Sequence, residues 1–331
     1  MQDILQFMGT SFMDKPIWMW VIFIAIVLTL LVLDLGLFNR NDHEIEVKES
    51  LLMSAFYIAI GLLFGGWIWH NMGSVKGMEY LTGFVVEKTL AMDNIFVIAM
   101  IFSYFSIPRL YQHRVLFWGI LGVILLRGIM IGVGASLIHQ FEWILYGFAA
   151  FLIITGVKML FAADMAEMDI SQNPVLKFMN KHFRITKDLH GHDFLVRKPH
   201  EKTGKPVLYM TPLLVALVLI EIADVIFAVD SIPAIFAITT DAYIVFTSNI
   251  FAILGLRALY FALAAMINRF AYLKYALSVV LIFIGSKIVI ADMLDLAKIP
   301  PAISMLITVL IIGSGVVFSL LKTRGQDNEA A

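Results

Sequence analysis

The sequence contains no cysteine and little charge. Without cysteine anywhere in its 331 residues, disulfides, thiolate nucleophiles and thiolate metal sites are excluded. Asp, Glu, Lys and Arg supply only 15% of the chain, against roughly 25% in an ordinary soluble domain, and this excludes a water-soluble globule. What fills the chain is apolar: 60% hydrophobic residues and a mean hydropathy of +0.89.

Apolar runs of about 20 residues match the roughly 30 Å hydrocarbon core of a bilayer. Nine such runs are expected to be transmembrane helices, near 17 to 38, 51 to 69, 78 to 105, 115 to 138, 143 to 163, 209 to 238, 242 to 266, 271 to 291 and 300 to 321. The fold class is therefore an all-α polytopic membrane protein, because helices satisfy their own backbone hydrogen bonds in lipid. Before the first run the only basic residue is Lys15. The run itself is longer than the apolar region of a signal peptide, so it reads as a retained helix. Placing the Lys and Arg between or at the margins of the runs on alternate sides puts 16 on one side and three (Lys15, Lys76, Lys298) on the other. Since basic residues favour the cytoplasmic side, the N-terminus is expected outside and the C-terminus inside.

Three correspondences recur in the same order along the chain. Glu87 to Phe96 (EKTLAMDNIF) matches Asp224 to Ile232 (DVIFAVDSI); Leu126-Arg127 matches Leu256-Arg257; Gly156-Val-Lys158 followed by Asp164 matches Gly285-Ser-Lys287 followed by Asp292. Each unit holds three helices, an odd number, so the second enters the membrane from the opposite side. This inverted repeat is typical of secondary transporters, whose sites lie near the midplane. It divides the chain into N-terminal helices (1–77), repeat one (78–163), a cytoplasmic linker (164–208), repeat two (209–292) and a last helix with a tail (293–331).

The chemistry is expected where charge is least affordable. Glu87, Asp93, Glu221, Asp224 and Asp230 lie in the middle of two apolar runs, and uncompensated they would cost on the order of 15 kcal/mol on an insertion scale, as much as a whole protein's stability. Lys88, Arg127 and Arg257 lie at similar depth, leaving a formal deficit of two charges that a divalent cation or two protons would fill. Residues seven apart share a helical face, which aligns Glu87 with Asn94 and Asp224 with Ser231; Asp93 and Asp230 are rotated off that face. Pro233 is expected to kink or unwind the sixth helix beside Asp230. Carboxylates, the amides of Asn94 and Asn249 and the hydroxyl of Ser231 form an all-oxygen donor set, which suits Mg, Ca or Mn. The candidate metal ligands are thus Glu87, Asp93, Asn94, Glu221, Asp224, Asp230 and Ser231, supported by Arg127, Asn249, Arg257 and Asp34.

These segments, together with Glu221 to Ala237 (EIADVIFAVDSIPAIFA) and Ser248 to Arg257 (SNIFAILGLR), resemble the TerC family of integral membrane proteins, Alx-type members in particular. The resemblance implies a bacterial inner-membrane protein of manganese export or homeostasis, distantly related to LysE-type exporters. Mn2+ is then the transported substrate rather than a tightly bound cofactor, with protons as a coupling ion, the bilayer as partner and no nucleic acid. The family name refers to tellurite, but an oxyanion would be repelled by a carboxylate-rich midplane.

Other features read as structural. The 164–208 segment, with His182, His190, His192 and His200, is expected to be a solvated mixed-charge linker. Lys158 and Lys287 are expected to snorkel to the interface, and the glycines of the fourth run (Gly119, Gly122, Gly128, Gly132, Gly134) to permit close packing. An intramembrane aspartyl protease is disfavoured because the chain lacks a Gly-x-Gly-Asp element, and no enzymatic activity is expected. The alternative to transport is an assembly or metal-loading factor for exported proteins, acting through the linker.

Overall fold

The computed structural model describes residues 9–34, 46–161, 170–199, 204–264, 272–293 and 300–329. Arg40, Asp164, His200, Arg269 and Lys298 lie outside the described residues, as do the side chains of Asp93, Arg257 and Asp292.

After a two-residue hairpin (β1, Ser11–Phe12; β2, Lys15–Pro16) the helices are α1 (Ile17–Leu33), α2 (Val47–Met72), α3 (Ser74–Tyr104), α4 (Arg109–Gln140) and α5 (Ile144–Phe161). A cap follows, made of a 3₁₀ turn at Ile170–Gln172, α6 (Pro174–His182) and an antiparallel hairpin (β3, Leu195–Pro199; β4, Pro206–Met210). Helices α7 (Pro212–Phe236), α8 (Ala242–Leu254), α9 (Leu256–Ala264), α10 (Leu273–Met293) and α11 (Pro301–Glu329) complete the chain. The protein is a polytopic helical membrane protein. Six helices (α2, α4, α5, α7, α10, α11) are long and apolar enough to cross a bilayer, and a seventh span is counted if α8 and α9, bent by 52° at their junction, act as one. The other two expected spans fall on α1, which has only 17 residues, and on α3, whose 31 residues include Lys76, Glu79, Glu87, Lys88 and Asp93.

Proline and glycine punctuate these elements. Pro174, Pro212 and Pro301 open helices, where the missing N–H has no intrahelical partner to lose. Asn173 caps α6, its side chain accepting from Val175 N at 2.9 Å. Gly73 adopts φ +89° between α2 and α3, a left-handed turn that lets the chain reverse at once. Pro233 lies inside α7, which runs unbroken to Phe236; the expected unwinding is absent because neighbouring helices can support a proline-containing turn in a membrane protein. The break falls at Gly255 instead.

At the centre stand α3, α7 and α8. Nearly all of α8 is buried, as expected of a helix apolar on every side. α3 packs against α8 just as α4 packs against α7. Helices α5 and α10 cross backbone to backbone. A Cβ on Gly156 would lie 2.8 Å from Ser278 O and 2.7 Å from Ile282, and one on Gly285 would lie 2.7 Å from Ala149 O and 2.9 Å from Ile153. Only glycine allows so close a crossing.

The 164–208 segment corrects two expectations. It adds a β-hairpin where only helices and loops were expected, and it is folded where described: Ile170, Leu176 and Met179 are buried in one cluster with Ile98 of α3 and Leu213 of α7. Thr211 Oγ1 donates to Asp193 O at 2.7 Å, tying the cap to the start of α7. Its apolar residues are too few and too scattered to register as a run, yet enough to seat it on the helix ends.

Candidate functional site

Arg127 is the largest of the fully buried side chains among the described residues, at 1% exposure. Its face of α4 also carries Ile120, Val123 and Ile131, all buried, so helical periodicity alone turns the guanidinium inward. There it meets side chains from three other helices. Its Nε and Nη2 donate to the two carboxylate oxygens of Asp224 on α7, at 3.1 and 2.9 Å. Nη1 donates to Glu87 of α3, to Asn249 Oδ1 of α8 at 3.1 Å and to Ser231 Oγ of α7 at 3.3 Å. Asn94 Nδ2 donates to Asp224 Oδ1 at 3.2 Å, closing the network. The fork of the guanidinium matches the planar Asp224 carboxylate, a geometry a lysine could not reproduce.

The spacing of seven residues explains why both α3 and α7 deliver a carboxylate and a neutral polar group to one place. The same helical geometry sends Asp230 elsewhere. It faces α5, where Thr155 Oγ1 donates to it at 3.5 Å, and it takes no part in the Arg127 network. Asp34 is buried at the end of α1, a helix outside the four that build the network. The side chains of Asp93 and Arg257 lie outside the described residues. Among the described residues no three Asp, Glu or His side chains form a metal-holding group, because Arg127 stands between Glu87 and Asp224.

Glu221, one helical turn before Asp224, differs from both. Neither carboxylate oxygen has a hydrogen-bond partner, and Glu87 Oε2 and Asn249 Nδ2 are likewise unpartnered. The Glu221 carboxylate rests on the glycine face of α4, where a Cβ at Gly122 would come within 2.5 Å of it. A cavity of about 40 Å³ lies near it, with Glu221 outside its lining, which is made of Asn94, Asp224, Gly119, Tyr260 and apolar side chains. That is room for one or a few water-sized bodies. Glu87 and Asp224 thus share one guanidinium, and Glu221 pairs with none. Lys88 is buried too, but its Nζ donates to Ala252 O at 3.0 Å, in the last turn of α8, where the helix end carries partial negative charge. Sequence reasoning missed Gly122 and Tyr260 as parts of this region, and counted Lys88 only as a cation at the depth of the acids. Only Gly122 left a signal, as one of several glycines on α4 with no mark to distinguish it.

Residues 72–327 match the family model described as "Integral membrane protein TerC family". This chain belongs to the TerC family. The match takes in every helix of the Arg127 network and leaves out α1 and nearly all of α2. An uncharacterised membrane protein of Rickettsia bellii is 47% identical over 310 residues, covering 94% of this chain and 99% of its own. One from Myxococcus xanthus is 45% identical over 92% of this chain and 93% of its own. Alx of Escherichia coli (strain K12), whose name carries the description of a membrane-bound redox modulator, is 45% identical over 312 residues, 92% of this chain and 91% of its own. No solved structure matches. Within this TerC-family chain, the midplane polar residues are the ones whose burial is hardest to attribute to packing alone.

Proposed function

We propose that this protein is a secondary transporter that exports a divalent cation, with Mn2+ the expected substrate, across the bacterial inner membrane by alternating access. The observation that carries this reading is the surplus of buried carboxylate among the described residues: Glu87 and Asp224 share the Arg127 guanidinium, and the Glu221 carboxylate has no partner. A buried carboxylate without partners is strongly disfavoured, so it must bind a proton or a cation. The neighbouring donors are all oxygens, which favours hard divalent ions. Asp224 and Asn94 line the cavity and would receive the ion first, with Glu221, Glu87, Ser231 and Asn249 completing the set as Arg127 withdraws. Asp93 and Asp230, displaced along the helices, are candidate stations further along the path, and protons exchanged on these carboxylates supply the coupling ion.

The proposal includes nine spans, an outside N-terminus and an inverted pair of repeats, α3 to α5 and α7 to α10. The crossing of α5 with α10 supports the repeat, since Gly156 and Gly285, Ala149 and Ser278, and Ile153 and Ile282 are each 129 positions apart and exchange roles across it. The pairing of α3 with α8 and α4 with α7 is related in the same way. No cysteine is present, so any effect on cellular redox state would not pass through thiols of this chain.

The test is transport by purified protein in proteoliposomes with Mn2+, Mg2+, Ca2+ and Zn2+ under an imposed pH gradient. Mn2+ flux that depends on the gradient and is lost in Asp224→Asn and Glu221→Gln is expected. Equal flux in those variants and the wild type would overturn the reading.

A further inference from the structure

The two ends of α3 differ. At its start, three chain segments are drawn together by an ion-pair network. Lys76 Nζ lies 2.8 Å from Glu79 Oε2 and 3.5 Å from Asp241 Oδ2, and Lys15 Nζ lies 2.9 Å from Asp241 Oδ2. Thr239 Oγ1 donates to Glu79 Oε2 at 2.6 Å and accepts from Asp241 N at 3.3 Å. Lys15 precedes α1, Lys76 and Glu79 begin α3, and Thr239 and Asp241 form the turn from α7 to α8. The side chains of Asp241 and Glu79 are only 10% and 14% exposed, so the network closes this end.

About 36 Å away along an ideal helix, the finish of α3 borders a polar cavity of about 450 Å³. Ser103, Arg109 and Gln112 line it, with Tyr260 at its wall. Tyr260 also lines the small cavity beside Asn94 and Asp224, so its side chain borders both. Its Oη donates to Gln112 Oε1 at 3.1 Å, and Gln112 Nε2 donates to Ile107 O at 2.8 Å, which pins the pair to the turn between α3 and α4.

We infer that this structure is an inward-facing state held by two gates: an outer electrostatic latch of Lys15, Lys76, Glu79, Thr239 and Asp241, and an inner door in which Tyr260, hydrogen-bonded to Gln112, separates a cytoplasmic vestibule from the carboxylate cavity. The inference rests on the alternating-access reading and on its orientation. The latch is built from partly exposed ion pairs, which salt and solvent weaken, and an outer gate must open reversibly. The door is a single aromatic ring on a hydrogen bond, so a rotamer change suffices to admit a dehydrating ion. Opening the latch separates the start of α3 from the turn between α7 and α8, and in a rocking bundle this closes the vestibule at the other end.

The chain's lack of cysteine makes single-cysteine labelling clean. Ser103→Cys reports the vestibule, Ala223→Cys the cavity behind Tyr260, and Ile235→Cys the buried side of the latch. With a membrane-impermeant maleimide, Ser103→Cys is expected to label from the cytoplasmic side, while Ala223→Cys and Ile235→Cys stay protected. Adding Tyr260→Ala should expose Ala223→Cys at least tenfold. Adding Asp241→Asn or, independently, Glu79→Gln should expose Ile235→Cys from outside and slow Ser103→Cys by a similar factor. The latch is refuted if neither variant changes these rates, or if labelling rises at both ends together, which is loosening and not exchange. The door is refuted if Tyr260→Ala leaves Ala223→Cys protected. An intact labelling exchange without metal flux would retain the gates and reject the cargo, whereas flux without exchange would do the reverse.

Discussion

Arg127 holds two carboxylates that arrive on different helices, and its removal leaves both buried without a counter-charge. Breaking one side of a buried pair costs about 3–5 kcal/mol, so Arg127→Met is expected to lower the melting temperature in detergent sharply or to prevent accumulation of folded protein. Arg127→Lys should be intermediate, since one ammonium cannot bridge Glu87 and both oxygens of Asp224. Gly122 offers a finer probe. A methyl there meets the Glu221 carboxylate, so Gly122→Ala should cost about 1–3 kcal/mol as overpacking, and less in a Glu221→Ala background. Equal costs in the two backgrounds, read in a double-mutant cycle, would show that the carboxylate does not occupy that face. At this scale the sequence made the acids and arginines conspicuous, because hydropathy has no place for them. It could not show that Arg127 joins α3, α7 and α8, since spacing within a helix says nothing about which partner a neighbouring helix presents.

Helix α7 continues past the proline expected to unwind it, and a sharp bend follows α8. Proline stood out in the sequence, but α7 passes through Pro233. Glycine did not, yet the 52° bend follows α8 at Gly255. A Cβ at Gly255 would lie 2.6 Å from Lys88 Nζ and 3.0 Å from Tyr57, so the bend makes room for the lysine that meets the end of α8. Gly255→Ala is therefore expected to lower thermal stability by about 1–3 kcal/mol through overpacking. Pro233→Ala should leave it unchanged or raise it, because it restores a helical N–H. If the two variants ranked the other way in thermal melts, the bend would not be the feature that matters. The cap between α5 and α7 went unread: Asn173 followed by Pro174 opens α6, a helix start passed over in a segment expected to be a solvated linker. Its hairpin was not legible, as its pairing depends on partners ten residues or so apart with little apolar alternation.

The whole molecule shows why length and apolarity undercount its helices. α3 falls outside that test because it carries charge, of which Glu87 is paired with Arg127 and Lys76 and Glu79 with the latch. Composition could declare a membrane protein but not distinguish a helix that faces lipid from one that faces other helices. A reporter fused to each terminus should place the N-terminus outside and the C-terminus inside. Both on one side would require an even number of spans and would remove the inversion of the repeats.

The guanidinium of Arg127 never gives up its proton at physiological pH. On the transport reading, an arriving ion therefore meets a rival already tethered to its ligands, present at an effective concentration no free solute attains. Such competition weakens apparent affinity without removing a single ligand. The site would fill only when its ion is abundant, and empty readily once the ion is scarce, which is the behaviour of a relief valve and not of a scavenger.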